Sequence, residues 1–389
     1  VTSILLNTFS NLVFFFWRSQ QVWLRSKILH IKMTSIIPRV IYDSDSGYDD
    51  AWALFILLKA HSLNLIQLLA ITCGTGNTFV DNCVVNVCRV LEVAQQKSIP
   101  VYRGAPQPFN FIDRIPDNYS GYDGFGDIFA PTDLPDMSPY NREEHGVTAM
   151  ARIIKENPGE ITLIAVGALT NIGLALRMYP DVMKLILSLF IMGGNFLGIG
   201  NMTPSAEFNA YCDPEAADAV LRGITQPITI VPWELNISPI NTVTLGWRRK
   251  VLGARKHPIL TLLNPIENSI FKSNADSEIW ACADCVAAMC FLAPDQMIKK
   301  SENVYTAIEL HGQLTRAQYV VDRTGTEPNS KMITDIDIQN FKRSFFWVTS
   351  DDVKISLKEY LKRGVLQTGP AIPRPLSKLY TRTVQKIAV

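Results

Sequence analysis

The chain has 389 residues, 47% apolar and 19% charged, with 22 glycines and 22 prolines, which excludes a disordered, collagenous or low-complexity protein. Its 37 basic and 36 acidic residues leave a net charge of +1, so neither sign is in excess to drive sequence-independent binding to nucleic acid or acidic lipid. That length suits one large α/β domain or two medium ones.

Seven cysteines sit mostly inside apolar runs, an odd number at low density, and read as buried reduced thiols. Cys282-Ala283-Asp284-Cys285 contains a C-x-x-C, but no second pair stands at zinc spacing. The first 32 residues carry an apolar run from Leu5 to Trp17 that is too short and interrupted for a membrane span and lacks a basic leader. The first methionine is Met33. We expect the natural protein to start there, with 1–32 as upstream or targeting sequence and 33–389 as the domain.

From residue 38 short β-branched runs alternate with helical stretches. Arg39 to Tyr42 predicts a strand, Asp50 to Ala60 an apolar helix, Leu65 to Thr72 a strand and Asn82 to Gln96 a helix. Ile161 to Val166 predicts a strand closed by Gly167-Ala168-Leu169-Thr170, before a helix from Asn171 to Met178. Leu185 to Met192 predicts a strand ending in Gly193-Gly194. Asp213-Pro214 is a helix start, an N-cap acid followed by proline, and Ile228 to Pro232 a further strand. Ile279 to Leu292 predicts an apolar helix. The expected fold is a Rossmann-like α/β domain, its mostly parallel central sheet flanked by helices.

The out-of-place polar residues fall just after strands, where open α/β sheets bind ligands. Asp43-Ser44-Asp45-Ser46-Gly47-Tyr48-Asp49-Asp50 puts four carboxylates between a buried strand and an apolar helix. Carboxylates that close repel one another, and a bound cation removes the conflict; oxygen ligands select Ca²⁺ or Mg²⁺. An EF-hand is excluded, because Gly47, Tyr48 and Leu54 occupy its fifth, sixth and twelfth positions. A phosphatase with an Asp-x-Asp nucleophile, forming an aspartyl phosphate on Asp43, is a weaker alternative. Asp284 is the only charge in its apolar segment, and a buried acid needs a partner or a metal. After a glycine-rich turn, Asn201, Glu207 and Asn209 offer directed hydrogen bonds to a polyhydroxylated ligand such as a sugar.

These residues together resemble the calcium-dependent nucleoside hydrolases, which cleave the N-glycosidic bond of ribonucleosides. The acidic loop is similar to that family's Asp-x-Asp-Pro-Gly-x-Asp-Asp-Ala, ending here at Ala51. Gly76-Asn77, Gly167 to Asn171, Met192-Gly-Gly194, Gly200-Asn201 through Glu207-Phe-Asn209 to Asp213-Pro-Glu-Ala-Ala217, and Leu314-Thr315-Arg316 follow in the family's order. The resemblance implies calcium held by Asp45, Asp50, the carbonyl of Thr170 and Asp284, with Asp43 supporting the loop from behind. It implies Asp45 as the general base, Asp49 and Asn77 on the ribose, Asn201, Glu207 and Asn209 on its remaining hydroxyls, and Met192 lining the sugar pocket. A homodimer or homotetramer is implied as well, with a ribonucleoside as the partner and neither nucleic acid nor membrane.

Two departures matter. Ser46 stands where the family carries Pro, which reads as lost loop rigidity. Ala283 stands where members of broad inosine–uridine specificity carry a His that protonates the leaving base, and none of the five histidines falls in that motif. Purine-specific members of that family stack the base on aromatic side chains, so the resemblance makes Trp280, Tyr48 and Phe79 candidates and leans the expected substrate toward purines. Tyr119 to Gly126 resembles the family's glycine-rich flap, from which Tyr122 or Asp123 would approach the base. A catalytically silent nucleoside- or calcium-binding relative and a hydrolase of another N-ribosyl compound, such as nicotinamide riboside, are the alternatives. A start at Met33 implies a cytoplasmic enzyme of nucleoside salvage; a genuine N-terminal signal would imply a secreted one.

Overall fold

The run Arg39–Ser44 has a β-branched, aromatic centre buried on both faces, as the middle strand of a parallel sheet must be. In the computed structural model, which describes residues 37–110, 116, 118–238, 242–272 and 275–363, this run is β1. The expected start at Met33 and the extension 1–32 lie outside the described residues. One sheet of ten strands runs β4 (Tyr140–Asn141), β3 (Val101–Arg103), β2 (Gln67–Cys73), β1, β5 (Ile161–Ala165), β6 (Ser188–Met192), β7 (Ile228–Val231), β10 (Ser330–Ile336), β8 (Ile298–Ile308) and β9 (Tyr319–Asp322). Pairing is parallel from β4 through β10; β8 and β9 extend that edge antiparallel.

Alternation along each strand divides the core in two. Val40 and Tyr42 of β1, Ile164 above β5's midpoint and Met192 at the end of β6 belong to the cluster on one face; Ile41, Leu163 and Ile191 belong to the other. The first face is covered by helices Tyr48–Ser62, Val80–Val93, Pro258–Ile270, Ala283–Leu292 and Ile338–Val348, the second by Gly146–Glu156, Thr170–Met178 and Pro214–Gly223. Tyr48–Ser62 and Ala283–Leu292 pack on each other and are apolar all round, which is how fully buried helices read.

Strand order fixes where a ligand can sit. From β1 the chain winds outward through β2 and β3, and from β5 it winds the opposite way through β6 and β7. The crevice at the carboxyl ends of β1 and β5 is therefore the topological switch point. The acidic loop leaves β1 there, and the Gly167–Thr170 turn leaves β5 there.

The expected elements are present, with ends shifted by a few residues. One difference has consequences: the helix expected from Ile279 begins only at Ala283. Residues before it are drawn into an extended path, Ile279 bridging Thr244 and the Trp280 N–H donating to the Val243 carbonyl (2.7 Å). The antiparallel edge from Ile298 to Ile336 and the helices at 146–156, 258–270 and 338–348 were not anticipated. Among the described residues no helix is long and apolar enough to cross a membrane.

Candidate active site

The sharp exit from β1 is made by Ser46, whose φ of 51° lies in the left-handed region. Proline, locked near −65°, cannot take that conformation, and it would also lose the Ser46 N–H bond to Ser44 Oγ (3.1 Å). The Ser-for-Pro exchange is thus a different backbone path rather than a simple loss of rigidity. Ser46→Gly is expected to leave the melting temperature unchanged or raised, and Ser46→Pro to cost more than about 1 kcal/mol in denaturant titrations.

The turn delivers four carboxylates to the switch point, each held differently. Asp50, in the first turn of helix Tyr48–Ser62, accepts from Ser44 Oγ (2.7 Å) and the Gly47 N–H (2.9 Å). Asp49 accepts weakly from the Ala283 N–H (3.3 Å), which brings the acidic loop to the start of the helix carrying Asp284. Asp43 points behind the loop, accepting from Thr72 Oγ1 and from Asn171 Nδ2 (2.8 Å). Asp45 accepts from the Asn77 N–H (2.6 Å) through Oδ2, while its buried Oδ1 has no hydrogen-bond partner. Two glycines make room for that carboxylate: a Cβ on Gly76 would overlap Asp45 Oδ2, and one on Gly167 would lie 2.9 Å from Oδ1. Gly76→Ala is therefore expected to displace the Asp45 carboxylate and lower kcat/KM by about 10²-fold with the circular dichroism spectrum unchanged.

Ligand oxygens of Asp49, Asp50 and Asp284 lie within 4.8 Å of one another. Asp50 and Asp284 are in the ligand set implied by resemblance; Asp49 joins them, and Asp45 stands beside the group with its free oxygen. Burial without a counter-charge pushes all of these carboxyls up: Asp43 and Asp49 to about 7, Asp50 to about 6, and Asp45 and Asp284 well above the ordinary range. For Asp284 and Asp50 the neighbouring carboxylates add to desolvation. A cluster of buried acids, one with an orphaned oxygen, fits a hard divalent cation.

Of the sugar-side candidates, Asn209 and Glu207 lie at the ends of β5 and β6. Asn209 Nδ2 donates to the carbonyls of Val166 (2.8 Å) and Met192 (3.2 Å), and its buried Oδ1 is unpartnered. Glu207 caps helix Phe208–Cys212 and accepts from the Gly194 N–H (2.7 Å); burial raises its carboxyl to about 7. Asn201 keeps a buried, unpartnered Oδ1 on the loop that returns to Ala206. Thr170 opens its helix and donates Oγ1 to Asp213 (2.7 Å).

Residues with no assigned role prove to fasten these loops. Asn171 ties Asp43, the Cys73 carbonyl (3.1 Å) and the Ala105 N–H (2.8 Å) into one knot across β1, β2 and β3. Buried Glu234 accepts from the N–H groups of Phe196, Leu197 and Ile199, fixing the loop before Asn201. Nothing in the local sequence marks either residue as a fastener.

Trp280 is corrected. It is 2% exposed and packs against Trp52, Trp247 and Phe345 beneath the Arg248 guanidinium, so it is a core residue and not a stacking platform. The cause is the late helix start at Ala283, which removes Trp280 from the face that carries Asp284. Tyr48 is also buried, its hydroxyl donating to the Ala281 carbonyl. Phe79 (42% exposed) and Tyr122 (63% exposed) are different, their rings 5.6 Å apart at the rim. Asp123 turns inward and caps its own loop at the Phe125 (2.6 Å) and Asp127 (2.9 Å) N–H groups. Of the four described histidines, His145 and His257 cap helices and His61 accepts from the Leu68 N–H, while His311 lies exposed beside Glu309.

A carboxylate-built site at the switch point of a doubly covered sheet defines an α/β enzyme of small polar substrates. Residues 40–343 match the family model described as inosine-uridine preferring nucleoside hydrolase, and the chain belongs to that family of ribonucleoside hydrolases. It is 32% identical over 311 residues to the pyrimidine-specific ribonucleoside hydrolase RihA of Salmonella arizonae, covering 78% of this chain and 95% of that one. To the pyrimidine-specific ribonucleoside hydrolase RihB of Escherichia coli it is 30% identical over 340 residues, covering 85% and 98%. Its fold superposes on an inosine-guanosine nucleoside hydrolase with a TM-score of 0.73 and 27% identity, over 81% of this chain and 99% of the other. The expected lean toward purines finds no support in relatives named for pyrimidines.

Proposed function

We propose that this chain hydrolyses the C1′–N bond of ribonucleosides at the β1/β5 crevice, releasing ribose and the free base. The observation that carries the reading is the convergence of Asp49, Asp50 and Asp284, with Asp45 beside them and the group largely buried, at the switch point of a nucleoside hydrolase fold. Asp50 and Asp284, joined by Asp45 and by the Thr170 carbonyl, would hold a calcium ion. When bound, that ion would engage the ribose hydroxyls and acidify a water molecule.

Asp45 accepts the proton of the attacking water, its buried Oδ1 being free of any other hydrogen bond. Its orientation is set by the Asn77 N–H and by the space over Gly76 and Gly167. As the C1′–N bond lengthens, positive charge builds at C1′, and the surrounding carboxylates stabilise it. Asp49 and Asn77 face the sugar from one side, with Asn201 and Asn209, each with an unpartnered amide oxygen, on the other. Glu207 completes that side. Phe79 and Tyr122 form the exposed aromatic rim on which the base stacks.

The test is ribose release by the full chain from inosine, guanosine, adenosine, uridine, cytidine and nicotinamide riboside, with and without a calcium chelator. Release from nucleosides that stops on chelation and returns with calcium is the expected result. Release from nicotinamide riboside alone would reassign the substrate. No release from any of them by folded, calcium-loaded protein would make the chain a silent relative.

A further inference from the structure

The aromatic rim is not a free flap. Helix Val80–Val93 and the residue two before it present Thr78, Asn82 and Asn86 at four-residue spacing, a polar ladder along one helix face. Thr78 Oγ1 donates to the Tyr122 carbonyl (2.8 Å), and Asn82 Nδ2 donates to the same oxygen (3.1 Å). Asn86 reaches further. Its Nδ2 donates to the Asp123 carbonyl (2.7 Å) and also to the Ser46 carbonyl (3.2 Å).

An amide nitrogen carries two hydrogens, so both bonds form at once. Asn86 is 3% exposed, so its amide is shielded from bulk water. The fit is close: a Cβ on Gly124 would stand 2.9 Å from Thr78 Cγ2, 3.0 Å from the Ser46 oxygen and 3.1 Å from Asn86 Nδ2. Gly124 itself sits at φ +80°, a conformation that side chains rarely adopt. One buried amide therefore clamps the loop bearing Tyr122 to the left-handed corner of the loop bearing Asp45, Asp49 and Asp50.

We propose that Asn86 is a positioning residue that couples the base-gripping rim to the acidic loop, so that the grip on the base and the geometry of the carboxylates are set together. This rests on the ribonucleoside reading for what the rim grips, but the clamp itself does not depend on it. Thr78 and Asn82 hold the rim alone. Asn86 holds both loops, and the two kinds of variant should separate.

The test pairs Asn86→Ala with Thr78→Val, a near-isosteric change that removes one of the two donors to the Tyr122 carbonyl and the acceptor of the Asn82 amide, and leaves both Asn86 bonds in place. Two readouts are taken on the full chain: KM and kcat on the nucleoside panel, and amide hydrogen exchange of residues 46–50 and 121–127. Asn86→Ala is expected to raise KM by about tenfold and also to lower kcat by about tenfold, because the grip on the base and the carboxylate geometry loosen together. It should also speed exchange in both segments. Thr78→Val is expected to raise KM with kcat changed less than about threefold, and to speed exchange in 121–127 only. Equal effects of the two variants on kcat, or faster exchange spread through the sheet, would mean that Asn86 is merely part of the fold and would overturn the proposal. Should the wild-type chain cleave no nucleoside, the functional reading falls and exchange alone decides the clamp. Acceleration in both segments by Asn86→Ala then upholds it, and acceleration in only one overturns it.

Discussion

Asp45→Asn is expected to lower kcat by about 10²–10⁴-fold, the range for losing a general base, with the fold intact. Asparagine fills the same volume between Gly76 and Gly167, and its side-chain oxygen can still accept from the Asn77 N–H. What it loses is the charge and the free carboxylate oxygen that takes up the proton of the water. Removing one of several crowded acids should also raise the melting temperature of calcium-free protein. Kinetics with inosine and uridine, beside thermal melts, read both effects. A fall of less than tenfold with calcium bound would take the general-base role from Asp45.

The second large effect is a pH-dependent stability that calcium removes. In the cation-free protein Asp43, Asp49 and Glu207 are raised to about 7 and Asp50 to about 6, all through burial. The unfolded chain releases these protons near the ordinary carboxylate values, so between that range and about pH 7 the native state holds more of them. Stability from these groups is thus fully present in acid and is lost as pH rises through about 6 to 7. A cation that holds the cluster ionised opposes this loss, and its affinity rises with pH because binding expels protons. Melts at about pH 5 and about pH 8, with calcium and with chelator, should show a calcium-induced rise in melting temperature that is small at the lower pH and large at the higher. An equal rise at both would disconnect the buried carboxyls from the metal.

Much of this was legible in the chain itself. The alternation of β-branched runs and helices gave a parallel sheet, because a strand buried on both faces has no polar register to hide it. The acidic stretch from Asp43 to Asp50 stood out because four charges between apolar segments have no structural explanation of their own. Asp284, a lone acid inside an apolar run, was visible for the same reason, and the order of the motifs carried the resemblance that residues 40–343 bear out.

Other features depend on contacts between distant segments. Trp280 read as a stacking residue because periodicity extended its helix back to Ile279; pairing with Val243 and Thr244, some 35 residues away, keeps it extended and buries the ring. The antiparallel edge at β8 to β10 was missed because partly exposed edge strands carry charge, which weakens their signal. Asn171, Glu234 and Asn86 are ordinary loop or helix residues until the fold brings their partners within 3 Å or so. Residue type and local spacing fixed the class of fold and which carboxylates would gather at the strand ends. Which oxygen is left unpaired, which aromatic faces the cleft and which amide ties two loops together were decided by tertiary structure, since each is a hydrogen bond or contact between residues that sequence spacing does not relate.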